Sequence, residues 1–215
     1  MDEILIECTN INKKFKDQTV FKDFNLSISK GKCLVIKGES GSGKSTLLNM
    51  IGLLDLPDSG QIKLFGQVNI KPFSKMAERL LRSNIAYLFQ NFALVDHLTV
   101  IENLDLALKN VKSKNKKQLI NEALSKVGLK GYEEKYIYQC SGGEQQRIAF
   151  ARLLIKPCDL ILCDEPTGNL DERTKEVILD LLANLKNMGK TIVIVTHDND
   201  VLKLADEVYK INKST

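Results

Sequence analysis

Three short stretches carry residue types that do chemistry only in company. The first, Gly38-Glu39-Ser40-Gly41-Ser42-Gly43-Lys44-Ser45-Thr46, fits the pattern GxxxxGK[ST]. Its glycines let backbone N–H groups converge without Cβ clashes, and a following helix start adds the positive end of its dipole. Such a loop, with Ser40 and Ser42 inside it, suits a triphosphate. Lys44 would reach the β- and γ-phosphates, the Ser45 hydroxyl would ligate Mg²⁺, and Thr46 would sit near the α-phosphate. The second stretch, Leu160-Ile161-Leu162-Cys163-Asp164-Glu165, is an apolar run ending in two carboxylates. Asp164 would hold the Mg²⁺ shell, and Glu165 would polarise an attacking water as general base. Alone, the pair also suits a helix-capping acid after a buried strand; the phosphate loop decides between the two. The third stretch is Cys140-Ser141-Gly142-Gly143-Glu144-Gln145-Gln146-Arg147. Ser141 can cap a helix, and Gly142 and Gly143 leave its first N–H groups bare for a phosphate. A plain capping turn is the other reading of Ser-Gly-Gly.

These residues need a scaffold that brings strand ends together. Ile4–Cys8 and Phe24–Ile28 alternate as strands do, Cys33–Lys37 is a buried strand entering the glycine loop, and Lys44–Ile51 is a helix. Gln61–Phe65 and Ile85–Phe89 are further strands. The middle is helical: Val100–Lys109, Gln118–Val127 with Leu119, Ile120, Ala123, Leu124 and Val127 on one face, and Gly142–Leu154. Leu160–Cys163 and Ile192–Val195 are continuous apolar runs, as central parallel strands require. Between them Val177, Ile178, Leu181, Leu182 and Leu185 stripe a helix. The pattern predicts an α/β core with an inserted helical lobe.

The 215 residues carry 31 basic and 27 acidic side chains, a net charge of +4 that does not argue for nucleic acid. The basic run Lys109, Lys112, Lys114, Lys116, Lys117 reads as a solvated helix end and loop, with anionic lipid or nucleic acid as the minor reading. Five cysteines (Cys8, Cys33, Cys140, Cys158, Cys163) form no CxxC or zinc spacing, which suits buried thiols in a reducing compartment. The start, MDEILIECTN, has no basic segment and is not a signal peptide. The apolar runs fall short of the ~18 residues that a membrane span needs, so membrane work would belong to another chain.

The third stretch resembles the signature of ABC (ATP-binding cassette) transporter ATPases, LSGGQ followed by Gln-Arg, with Cys140 for leucine and Glu144 for glutamine. The resemblance covers nearly the whole chain, with motifs in order. It implies an α/β fold: a P-loop NTPase core with a mainly parallel central sheet, an N-terminal antiparallel β subdomain and an inserted α-helical subdomain. The chain would be a single ATP-binding domain, with the core and β subdomain at about 1–90 and 146–215 and the helical subdomain at about 91–145. It implies that Phe15 stacks on adenine, that Gln90 meets Mg²⁺ and faces a permease, and that Gly168-Asn169-Leu170-Asp171 crosses a dimer interface. His197 would contact the γ-phosphate. The catalytic set would be Lys44, Glu165 and His197, with ATP and Mg²⁺ as cofactors. Two copies would dimerise head to tail, Ser141, Gly142, Gly143 and Glu144 of one closing over ATP on the other. A multi-span permease would hold the pair at the cytoplasmic face of the membrane.

The string Asp164–Asp171 is similar to the branch of lipoprotein-release, macrolide-export and antimicrobial-peptide-resistance ATPases, which also includes a cell-division ATPase that signals across the membrane. Leu88–Asp96 resembles bacteriocin-export ATPases of Gram-positive bacteria. The resemblance also implies an abbreviated final hairpin after Lys210 and no regulatory domain. A soluble ABC ATPase of translation or DNA repair stays open as a second reading, though those usually carry two cassettes. A non-catalytic nucleotide-binding module is a third, for which loss of Glu165 or His197 would be expected.

Overall fold

The computed structural model describes residues 3–16, 18–109, 111–112, 115–168 and 170–211; Lys114 and Asn169 fall outside them. The chain opens with long strands β1 (Ile4–Phe15) and β2 (Gln18–Ser29), then β3 (Cys33–Lys37) and helix α1 (Lys44–Ile51). Strands β4 (Ser59–Leu64) and β5 (Gln67–Val68), helix α2 (Lys75–Ser83) and strand β6 (Ile85–Leu88) follow. Helices α3 (Val100–Leu108), α4 (Lys116–Lys126) and α5 (Gly142–Ile155) precede β7 (Leu160–Asp164), α6 (Glu172–Asn187), β8 (Thr191–Val195) and β9 (Glu207–Lys210).

Two sheets result. The antiparallel one runs β2-β1-β4-β5, and the other, β6-β7-β8-β3-β9, is parallel throughout. Strands β3, β7 and β8 are apolar runs because both faces of the parallel sheet are covered. Leu34, Ile36, Leu160, Leu162, Val193 and Val195 pack with α1 and the antiparallel sheet. The alternate residues Cys33, Val35, Ile161, Cys163, Ile192 and Ile194 face α5, α6 and the helical lobe. That second core continues without a break into Leu104, Leu108, Ile120 and Leu124 of the lobe, with Phe150 fully buried on α5.

The structure departs from the sequence reading at several points. Strands β1 and β2 extend well beyond Ile4–Cys8 and Phe24–Ile28, because register shifts and left-handed Asn10 and Asp23 break the alternation that marks a strand. Leu119 is 37% exposed and Val177 38%; each sits at the edge of its helix stripe, whose other members are buried or half-buried. Helix α2 adds to the elements that the sequence predicts: Ser74 caps it and only Ala77 and Leu80 are buried, too short a stripe to stand out. The final strand, β9, lies parallel to β3 at the sheet edge; the abbreviated hairpin expected after Lys210 runs into residues 212–215, outside the described residues. All five cysteines are buried free thiols, and among the described residues no helix is long and apolar enough to cross a membrane.

Candidate functional site

Strand β3 ends at Lys37 and α1 starts at Lys44, so residues 38–43 form the loop between them. Gly41 and Gly43 have φ of +77° and +94°, backbone that side chains resist. Crowding adds a second reason for glycine. A Cβ on Gly43 would lie 2.3 Å from Val20 Cγ1 of β2, and one on Gly38 would lie 2.6 Å from both Ile211 O and Ser42 Oγ. Lys44 curls back over the loop, its Nζ donating to the carbonyls of Gly38 (2.8 Å) and Glu39 (2.9 Å). Ser42 Oγ is buried without a hydrogen-bond partner, a cost that buried polar atoms rarely carry. Ser40 and Ser45 are exposed and Thr46 half-buried.

The carboxylates stand beside this loop. Burial pushes the Asp164 pKa up, as does Glu165, against lowering by the Ser45 hydroxyl hydrogen bond and by Lys44. A cradle that a Cβ would fill, an orphaned Ser42 hydroxyl and a Ser45–Asp164 pair fit a phosphate chain with a hard cation. Glu165 adopts left-handed backbone, φ +50°, a strain of ~1–3 kcal/mol for a non-glycine residue. Four contacts hold it there. Its N–H donates to Val195 O (2.9 Å), the Thr196 hydroxyl donates to Oε2 (2.8 Å), and the His197 N–H donates to Oε2 (3.4 Å). His197 Nδ1 lies 2.9 Å from Oε1, while the His197 side chain stays 79% exposed.

Parallel register aligns these groups. Leu88 pairs with Cys163, Asp164 with Val195, and Ile36 with Val195. The residues just beyond the strands therefore line one edge: Gln90 after β6, Glu165 after β7, His197 after β8, Gly38 after β3, on strands ~4.8 Å apart. Gln90 is exposed. The loop after it is pinned by Arg152 of α5, whose guanidinium donates to Phe92 O (2.6 Å) and Ala93 O (2.5 Å). Glu165, Thr167, Gly168, His197, Asp198 and Asn199 line a cleft of about 470 Å³.

Other candidates lie apart. Ser141 caps α5, its Oγ accepting from Glu144 N–H (3.3 Å) while Glu144 Oε2 accepts from Ser141 N–H (2.7 Å). Among the described residues no hydrogen bond or ion pair joins Ser141, Gly142, Gly143 or Glu144 to the phosphate loop. A Cβ on Gly142 or Gly143 would meet nothing within 4 Å. Asp171 caps α6, accepting from Thr174 N–H (3.0 Å) and Thr174 Oγ1 (2.7 Å). Phe15 is 49% exposed at the end of β1, with Lys13 Nζ 5.1 Å from its ring centre. Sequence reading missed Thr196, Arg152 and the partners of Glu144, which are Tyr132 and Lys135. Only Thr196 carried a signal, as a hydroxyl at a strand end beside His197.

A family profile described as ABC transporter matches residues 21–168. The chain belongs to the ABC transporter family. This ABC chain is 42% identical over 209 residues to the uncharacterized ABC transporter ATP-binding protein YvrO of Bacillus subtilis (strain 168), covering 94% of this chain and 91% of that protein. It is 36% identical to the lipoprotein-releasing system ATP-binding protein LolD of Francisella tularensis, covering 98% and 95%. The dimeric structure of the bacterial ABC transporter cassette MJ0796 superposes with a TM-score of 0.91 at 34% identity, covering 97% and 95%.

Proposed function

We propose that this chain binds ATP with Mg²⁺ and hydrolyses it to drive a separate multi-span permease of the lipoprotein, peptide or macrolide export kind. The observation that carries the reading is the shared sheet edge, which sets the Lys44 loop, Asp164, Glu165 and His197 side by side. In this reading the domain comprises a core with its β subdomain, about 1–90 and 146–215, and a helical subdomain at about 91–145.

The loop amides, Ser40 and Ser42 wrap the phosphates and Lys44 leaves its two carbonyls for the β- and γ-oxygens. Phe15 stands under the base. Ser45, Asp164 and Gln90 would hold Mg²⁺, which would supply positive charge against the negative charge on the phosphoryl oxygens. Glu165 takes the proton of the attacking water, and the Thr196 and His197 contacts keep its carboxylate aimed. The Ser141–Glu144 turn is incomplete alone. Two glycines whose added Cβ would meet open space among the described residues, at a helix start, suit an anion delivered by a second copy. A head-to-tail homodimer closing over ATP follows, with Asp171 near its seam. Gln90 and the helical lobe would pass the motion to the permease, holding the chain at the cytoplasmic membrane face. MJ0796 was solved as a dimer, and in a post-hydrolysis state with ADP and Pi, which supports both the pairing and the chemistry.

Glu165→Gln tests the assignment. Turnover should fall by ~10² or more while ATP binding persists and a dimer accumulates on a sizing column. Turnover at the parent rate would remove Glu165 as the base.

A further inference from the structure

The start of α5 carries a charge of the wrong sign. If that turn accepts a γ-phosphate, as proposed above, a carboxylate at its third residue repels what the turn must bind. The Glu144 carboxylate does not stand alone. Tyr132 donates its hydroxyl to Oε1 (2.7 Å) and Lys135 donates to Oε2 (3.1 Å). Lys135 Nζ also lies 4.5 Å from the Tyr132 ring centre, closing a three-membered cluster. Its side chains are mostly sheltered, Lys135 at 31% exposure and Glu144 at 18%. The Ser141 N–H is a further donor to Oε2.

Lys135 and Tyr132 have no claim on the turn from their own positions. They reach it from the segment before the short 3-10 turn Ile137–Gln139, which packs the lobe against α5. Their two contacts do different work. Lys135 cancels the carboxylate's charge, and Tyr132 fixes the rotamer that points Oε2 back to the Ser141 amide. Charge-assisted bonds of this kind are about twice as strong as neutral ones.

We propose that Lys135, with Tyr132, is a charge-compensating positioning residue that lets the Glu144-bearing turn of one copy accept the ATP phosphates of another. The inference rests on the head-to-tail reading, and the test separates the two. ATP-dependent dimerisation is measured by sedimentation in Glu165→Gln protein, where hydrolysis does not erode the dimer. Monomer affinity for a fluorescent ATP analogue is measured beside it. Lys135→Met should raise the ATP needed for half-dimerisation by ~10-fold or more, since an uncompensated like charge is costly at an interface. Monomer affinity should stay at the parent value. Adding Glu144→Gln to Lys135→Met should restore dimerisation to within ~3-fold of parent, and Lys135→Arg should retain it.

Unchanged dimerisation in Lys135→Met overturns the proposal. So does a double variant no better than Lys135→Met, because a purely structural lysine would give that result. If the Glu165→Gln parent itself forms no dimer with ATP, the head-to-tail reading falls and takes this proposal with it.

Discussion

Glu165 and Asp164 are neighbours with opposite physical situations. Glu165 sits in strained backbone but is richly bonded by Thr196 and His197. Asp164 is 9% exposed, and burial works against its charge. An acid whose pKa is raised on folding destabilises the fold when ionised, so this cost is present at neutral pH and fades as pH falls through the raised value. Asp164→Asn should therefore raise the melting temperature of the nucleotide-free protein by ~2–4 °C at pH 7, with a smaller gain at pH 4. The same change should abolish the further stabilisation by Mg-ATP. Differential scanning fluorimetry with and without ligand reads both, and a lower melting temperature would refute the argument. Glu144 is the reverse case. Burial would raise its pKa, yet the Tyr132, Ser141 and Lys135 donors outweigh that and hold it at about 2. No local pattern announces those donors; Tyr132 and Lys135 became relevant only once the lobe folded onto α5.

At the scale of elements, two kinds of glycine behave differently. Gly43 is demanded by its own chain, through φ +94° and the approach of Val20. Gly142 is not, since its Cβ would meet open space. Gly43→Ala should destabilise the fold and weaken nucleotide binding together. Gly142→Ala should leave stability unchanged or raise it by ~0.5–1 kcal/mol, as alanine does in helices, yet impair ATP-driven dimerisation. Chemical denaturation paired with sedimentation distinguishes them, and normal dimerisation of Gly142→Ala would count against a partner's phosphate at that turn. The phosphate loop was legible in the sequence because its physics is local: a strand, a tight glycine turn and a helix start are contiguous. The parallel strands were legible as apolar runs. The full length of β1, with its shifted register, was not, because its regularity is set by β2 and β4 and not by its own alternation. Nor was β9, whose Glu207-Val208-Tyr209-Lys210 reads as surface chain until β3 lies beside it.

Across the whole molecule, one apolar core joins the helical lobe to a face of the parallel sheet. Cys33, Cys163 and Ile194 share it with Leu104, Leu124 and Ile137. The lobe therefore has no separate interior, and melting should be a single transition. Far-UV circular dichroism and fluorescence of a probe on the lobe should give coincident curves; two resolved steps would mean that the lobe unfolds alone.

The crowding of Gly38 against the Ile211 carbonyl carries a consequence for handling the protein. Ile211 is buried and its amide donates to Lys37 O at 2.7 Å, immediately before the glycine loop begins. The far end of the described chain thus buttresses the first motif from behind, 173 positions away in sequence. An affinity tag fused close after that residue, or a shortened clone ending before β9, would disturb catalysis from a place that no alignment of active-site motifs would flag.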